Sequence, residues 1–195
     1  MKRILGLWIA AVLLSACGTA PKDRFYVLGT QEASAPSAPA AYTVAIGPVS
    51  VPEVVDRPQL VLYQGNNRID IVEHERWAEP LRAAIPSAVA RELRAQLPDA
   101  RVAVYPQAAV AEATCVVNID VQRLESRRGD SALIEALWSV RCAEAPVQQA
   151  RSLIRESVQG DDYEALVSAH GRALEKIGGE IAQTLRDRRI QQGRQ

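Results

Sequence analysis

Residues Thr114 to Glu144 restrict the fold of this chain more than any other stretch. Cys115, Val117, Ile119 and Val121 recur at every second position, as do Ile134, Ala136, Trp138, Val140 and Cys142, across the segment ESRRGDS. A two-residue period marks strands, because successive side chains point to opposite faces. A turn centred on Arg128-Gly129 sets 115 against 142, 117 against 140, 119 against 138 and 121 against 136, so every opposing pair sums to 257. That register lays one apolar face beside the other, and a slip of one residue would turn one of them to solvent. It also sets Cys115 opposite Cys142. A disulfide and two reduced, buried cysteines acting as small apolar residues both fit this placement.

The N-terminus bears on which compartment those cysteines meet. Lys2 and Arg3 precede an apolar run from Ile4 to Leu14, followed by the small residues Ser15 and Ala16. This is the pattern of a secretory signal, too short to span a bilayer as a mature helix. Leu14-Ser15-Ala16-Cys17 resembles the lipobox of bacterial lipoproteins. The resemblance implies acylation of the Cys17 sulfur, removal of residues 1–16, and acylation of the new amine, with palmitate among the expected chains. One acyl chain anchors only marginally, at about 0.8 kcal/mol per buried methylene, so stable attachment needs several. A plain signal peptide cut at another small residue is the alternative. Residue 18 is Gly, not the Asp that commonly retains such proteins at the inner membrane, which implies the outer membrane, facing the periplasm. Of the three cysteines, one lipidated leaves an even pair in an oxidising compartment.

Length and charge then narrow the class. At 195 residues, 48% of them hydrophobic, the chain suits one domain with a real core. Lys plus Arg equals Asp plus Glu at 23 each, and losing Lys2 and Arg3 leaves 21 against 23. No global field favours nucleic acid. The expected division is a signal peptide over 1–16, then a lipidated N-terminus, short docked strand and Ala/Pro/Ser linker over 17–41, then a single domain over 42–190. Phe25-Tyr26-Val27-Leu28 is the docked strand, since a free tether has no need of four consecutive apolar residues. Contact of Phe25 and Tyr26 with the lipid interface is the alternative.

From Tyr42 the sequence predicts a strand with a bend at Gly47-Pro48, strands QLVLY and RIDIV, and a helix from about Arg76–Pro80 to Leu97. Pro86 is expected to kink or restart that helix. RVAVY, the hairpin and ARSLIRESV follow as strands. A last helix opens at Asp161, with Glu164 completing a capping box, and runs to about Arg188. Gly178-Gly179 within it is tolerable if the helix lies close against a sheet. The expected fold is α+β, a mostly antiparallel sheet of about six strands with the two long helices packed on one face.

Catalytic and metal-binding signatures are sparse. There is no zinc-type His/Cys pairing, phosphate-cradling glycine loop or nucleophile elbow. His74 reads as a solvated residue and His170 as a packing histidine. No cofactor or metal is called for, and a non-enzyme is expected, although a periplasmic hydrolase assembled from distant positions is not excluded. Two motifs remain: Asp56-Arg57-Pro58-Gln59, joining a turn to a strand, and Arg76-Trp77-Ala78-Glu79-Pro80-Leu81 at the helix entry. Turn punctuation and a large apolar plug account for them on residue type alone.

These motifs, in the order lipobox, Tyr26-Val27-Leu28, VAIGPVSVP, DRPQLV and RWAEPL, resemble the ABC-type transport auxiliary lipoprotein family, the group that includes the paraquat-inducible PqiC lipoproteins. The resemblance spans nearly the whole mature chain and is strongest from Val44 to Leu97. It implies a noncatalytic outer-membrane lipoprotein serving an intermembrane phospholipid transport system built on a mammalian-cell-entry (MCE) protein. The chain would dock that protein, with an inner-membrane permease and ATPase as indirect partners and phospholipid as a candidate cargo. Asp56, Arg57, Pro58, Gln59, Arg76, Trp77, Glu79, Pro80 and Leu81 are then the candidate partner contacts. A homo-oligomeric ring and a monomeric anchor both fit, as does a structural or secretion-assembly role unrelated to lipid.

Overall fold

In a computed structural model, residues 21–29, 40–107, 113–143 and 145–192 are described; the signal segment, Cys17 and residues 30–39 of the connector lie outside them. Strands β6 (Cys115–Arg127) and β7 (Ser131–Cys142) form the long antiparallel hairpin. Its outer half keeps the expected register, from Cys115↔Cys142 to Val121↔Ala136. Beyond a shift between Val121 and Arg123 the pairs run Arg123↔Glu135 to Arg127↔Ser131, one higher in sum. The turn is therefore the three residues 128–130, with Gly129 at φ 69°, and not a two-residue turn on Arg128-Gly129. Three-residue hairpin loops need a left-handed residue, which Gly supplies, and a bulge at Gln122 absorbs the extra position so that the apolar faces still meet. The Cys115 and Cys142 sulfurs are joined in a disulfide.

Strand β8 (Gln148–Ser157) pairs antiparallel with the outer edge of β7. The other edge of β6 has two partners. Strand β2 (Tyr42–Ser50) runs parallel to it from Val44↔Cys115 to Ser50↔Asp120, bending between Ile46 and Val49 at Gly47-Pro48, and β3 (Gln59–Gln64) meets it in parallel at Leu62↔Ser126. Strand β3 forms an antiparallel hairpin with β4 (Arg68–Trp77). Strand β5 (Ala100–Val104) lies parallel to β2, and β1 (Arg24–Tyr26) lies parallel to β4.

The sheet thus has eight strands and is mixed, which corrects the expected six-stranded, mostly antiparallel one. The physical reason is connectivity. Alternation fixes which residues form a strand and which face they present, but not the neighbour, and the long path from β2 through the first helix delivers β5 and β6 in the same direction.

Helices α1 (Leu81–Gln96) and α2 (Tyr163–Gln192) pack on each other and on the sheet, closing one core that includes Val44, Ile46, Val117, Ile134, Trp138, Leu174 and Ile181. Helix α1 runs through Pro86 instead of restarting there, because a proline inside a helix removes a single i→i−4 bond and Pro86 is itself buried in the core. The cap of α2 is Asp162, whose Oδ1 accepts the Ala165 N–H at 2.6 Å. Asp161 instead pairs with Arg128 in the β6–β7 turn. The glycine pair of α2 faces Glu92 and Gln96 of α1, not the sheet.

Candidate functional site

The two motifs converge at one corner of the sheet. Where β3 and β4 begin to pair, Gln59 opposes Arg76 but Leu60 opposes Val72, so Glu73, His74 and Glu75 form a three-residue bulge in β4. A bulge bends and twists its strand and re-aims the residues that follow. Arg76 and Trp77 are thereby turned back onto the DRPQ segment, and the Trp77 N–H donates to the Pro58 carbonyl at 2.7 Å. On the opposite edge β1 pairs in the register Arg24↔Glu75, Phe25↔Arg76 and Tyr26↔Trp77, and the Ala78 N–H donates to the Tyr26 carbonyl at 2.8 Å. The stretch Trp77-Ala78 is held from both sides before Pro80 starts α1.

Burial divides the motif residues by role. Trp77 is 5% exposed and meets the His170 ring edge-on at 6.2 Å between centroids; Leu81 is 1% exposed. Both hold the fold. Asp56, Pro58, Glu79 and Pro80 are exposed, and Asp56 accepts from Arg82 of α1 at 2.8 Å. Arg57, Gln59 and Arg76 are half-buried. Arg76 is committed to Asp23 at 3.3 Å and to the Glu73 carbonyl at 3.0 Å, while Gln59 donates to Glu73 at 3.2 Å. Arg57 differs from these, because its Nε is buried with no hydrogen-bond partner among the described residues.

The N-terminal strand is tied in by charge. Glu75 is 3% exposed and receives Arg24 at 2.7 Å and the Tyr26 hydroxyl at 2.6 Å. Burial first, and then the Glu75 carboxylate, push the Tyr26 phenol up to about 12, so it stays a neutral donor. His74, exposed on β4, contacts Asp23 at 2.8 Å.

His170 packs inside as its place on the apolar stripe implied, but its partner, and a row of ion pairs on the sheet, were not evident from the sequence. His170 is fully buried, its Nε2 lies 2.8 Å from Ser126 Oγ, and its Nδ1 has no partner among the described residues; burial pushes its pKa down to about 4. No local pattern marked Ser126 as that partner, since the two are 44 residues apart. On the sheet face away from the helices, Arg151, Glu135, Arg123, Glu125 and Arg127 form a row of ion pairs at 2.8, 3.6, 2.5 and 3.5 Å in turn. The alternation Arg123, Glu125, Arg127 carried that signal. Among the described residues no three His, Cys, Asp or Glu side chains gather as a metal site, and no helix is long and apolar enough to cross a membrane.

Fold and corner together define an α+β domain whose N-terminal strand is built into its sheet beside the polar motif cluster. The sequence matches the family model of the ABC-type transport auxiliary lipoprotein component over residues 26–182, and the chain belongs to that family, the one its motifs resemble. A crystal structure of an uncharacterized protein is similar at TM-score 0.71 and 18% identity, covering 85% of this chain and 99% of that one. A Xanthomonas campestris protein of family DUF330 is similar at TM-score 0.68 and 17% identity, covering 88% and 99%. A weaker likeness is to the PelC dodecamer of Paraburkholderia phytofirmans, at TM-score 0.43 and 16% identity, covering 72% and 91%. No curated protein matches the sequence.

Proposed function

We propose that this auxiliary component is a noncatalytic lipoprotein anchored through Cys17 in the outer membrane, facing the periplasm, where it docks an MCE protein and supports phospholipid movement between membranes. The observation that carries the reading is the shared corner. The DRPQ and RWAEPL segments meet beside β1, and Arg24 follows Cys17 by seven positions. An extended chain covers at most about 3.5 Å per residue, so the motif corner is tethered within about 25 Å of the anchor. A partner spanning the periplasm would meet it at the membrane.

Within that corner, Arg57 is the contact residue of choice. A half-buried guanidinium without an internal acceptor gains most from a carboxylate or carbonyl on a partner. The test is affinity recovery from envelopes with the lipidated chain as bait, beside Arg57→Ala at matched folding. Recovery of an MCE protein by the native chain and its loss with Arg57→Ala is the expected result. Failure of the native chain to recover any MCE protein, with detergent resistance unchanged on deletion, overturns the transport reading.

A further inference from the structure

Phe25, the one phenylalanine of the chain, is 63% exposed, more than any other large apolar side chain among the described residues. Val27 is 43% exposed. Two residues apart on extended backbone, they project to one side while Tyr26 turns inward to Glu75. They border a cleft of about 360 Å³ whose other wall includes Val167, Ser168 and Arg172 of α2. Exposed Lys22 precedes them, while Arg24, on the Tyr26 side of the strand, is paired with Glu75 at 2.7 Å. Nearby acidic groups are Asp23, already paired with His74 and Arg76, and Glu164 and Glu175 at the cleft wall.

An exposed aromatic on an edge strand is ordinarily a liability, because it invites association. The chain length outside the described residues indicates what covers it here. Described residues begin at Pro21, and Phe25 follows Cys17 by eight residues, which at about 3.5 Å each reach no more than about 28 Å. The acylated end lies in the bilayer, so Phe25 is always within a short distance of headgroups, where aromatic rings and basic side chains are favoured together.

We propose that the β1 edge seats Phe25 and Val27 in the headgroup region of a phospholipid bilayer, with Lys22 toward the phosphates, fixing the orientation of the body on the membrane. This rests on the reading of Cys17 as the lipid anchor. The test uses the full lipidated chain in phosphatidylethanolamine–phosphatidylglycerol vesicles with and without brominated phosphatidylcholine. Phe25→Trp reports from the proposed contact, and Leu153→Trp, on β8 at the far edge of the sheet, is the control. Brominated lipid is expected to remove about half of the emission added at position 25 and none of that added at 153. Vesicle flotation with no loss at position 25, or with equal loss at both, overturns the proposed seating while leaving the anchor intact. Failure to float overturns the anchor reading and this inference together.

Discussion

Alanine at Gly178 and alanine at Gly179 should change stability in opposite directions, although the residues are neighbours in one helix. Either substitution removes a helix-interior glycine, which favours the folded state by about 1 kcal/mol. The surroundings then decide the sign. A Cβ on Gly178 would lie 2.8 Å from both Cβ and Cγ of Glu92, and the Glu92 Cβ is fixed to the α1 backbone. Overpacking of this kind costs about 1–3 kcal/mol, so Gly178→Ala should destabilise by up to about 2 kcal/mol. A Cβ on Gly179 would meet only the Gln96 amide nitrogen at 3.1 Å, the far end of a flexible side chain. Moving it disturbs the Gln96 bonds to Glu92 and Arg186, which reduces the gain to a few tenths of a kcal/mol up to about 1. Urea unfolding of the chain from Gly18, followed by emission of buried Trp77 and Trp138, measures both. The two variants should differ by a few tenths up to about 3 kcal/mol. If Gly178→Ala stabilises as much as Gly179→Ala, the helices are not pressed together as described.

Three other outcomes follow from the same structure. With a sequence separation of 27 between Cys115 and Cys142, the bridge should contribute about 3.5 kcal/mol through the unfolded chain; a thiol count on the folded body should find none free, and two would refute the pairing. His170 titrates near 4 when folded against an ordinary 6.5, so the unfolded chain takes up more protons and stability falls as pH drops through that window. The loss is about 3 kcal/mol at most, and His170→Gln should flatten the slope in pH-resolved unfolding; an unchanged slope would show that another group titrates. Tyr26→Phe leaves the buried Glu75 with Arg24 alone, and amide exchange at Ala78, which donates to Tyr26, should quicken by a local loss of about 1–2 kcal/mol; unaltered exchange would show that the hydroxyl does not hold β1.

Much of this was legible because it depends on periodicity. The faces of β6 and β7, the bend at Gly47-Pro48 and the apolar stripe of α2 are all repeats within a single element. What escaped depends on partners far along the chain. The parallel β2–β6 pairing joins Val44 to Cys115, the His170–Ser126 contact joins α2 to β6, and the glycine pair answers to Glu92 on another helix. Residue type alone separated Trp77, an apolar plug, from solvated Glu79 in RWAEPL, but not the β4 bulge that turns the segment onto Pro58, since a bulge leaves no mark on alternation until its partner strand is known.

That bulge also explains why three short segments, far apart in the chain, act as one unit. Glu73 to Glu75 lack opposing residues on β3, and the bend they introduce turns Trp77 toward Pro58 on one side and toward Tyr26 on the other. Glu75 is buried at the same place, and it can remain so only with Arg24 and Tyr26 supplying donors, since a buried carboxylate left unpaired is strongly destabilising. Strand β1 is therefore a structural requirement of the motif corner, not an appendage to it. Force or orientation imposed at the N-terminus reaches Pro58 and Trp77 through paired backbone, whereas Asp56 and Arg57 stay available because exposed Asp56 contributes little to stability through Arg82 and Arg57 nothing through its unpartnered Nε. An arrangement of this kind presents the contact surface at a fixed attitude to β1.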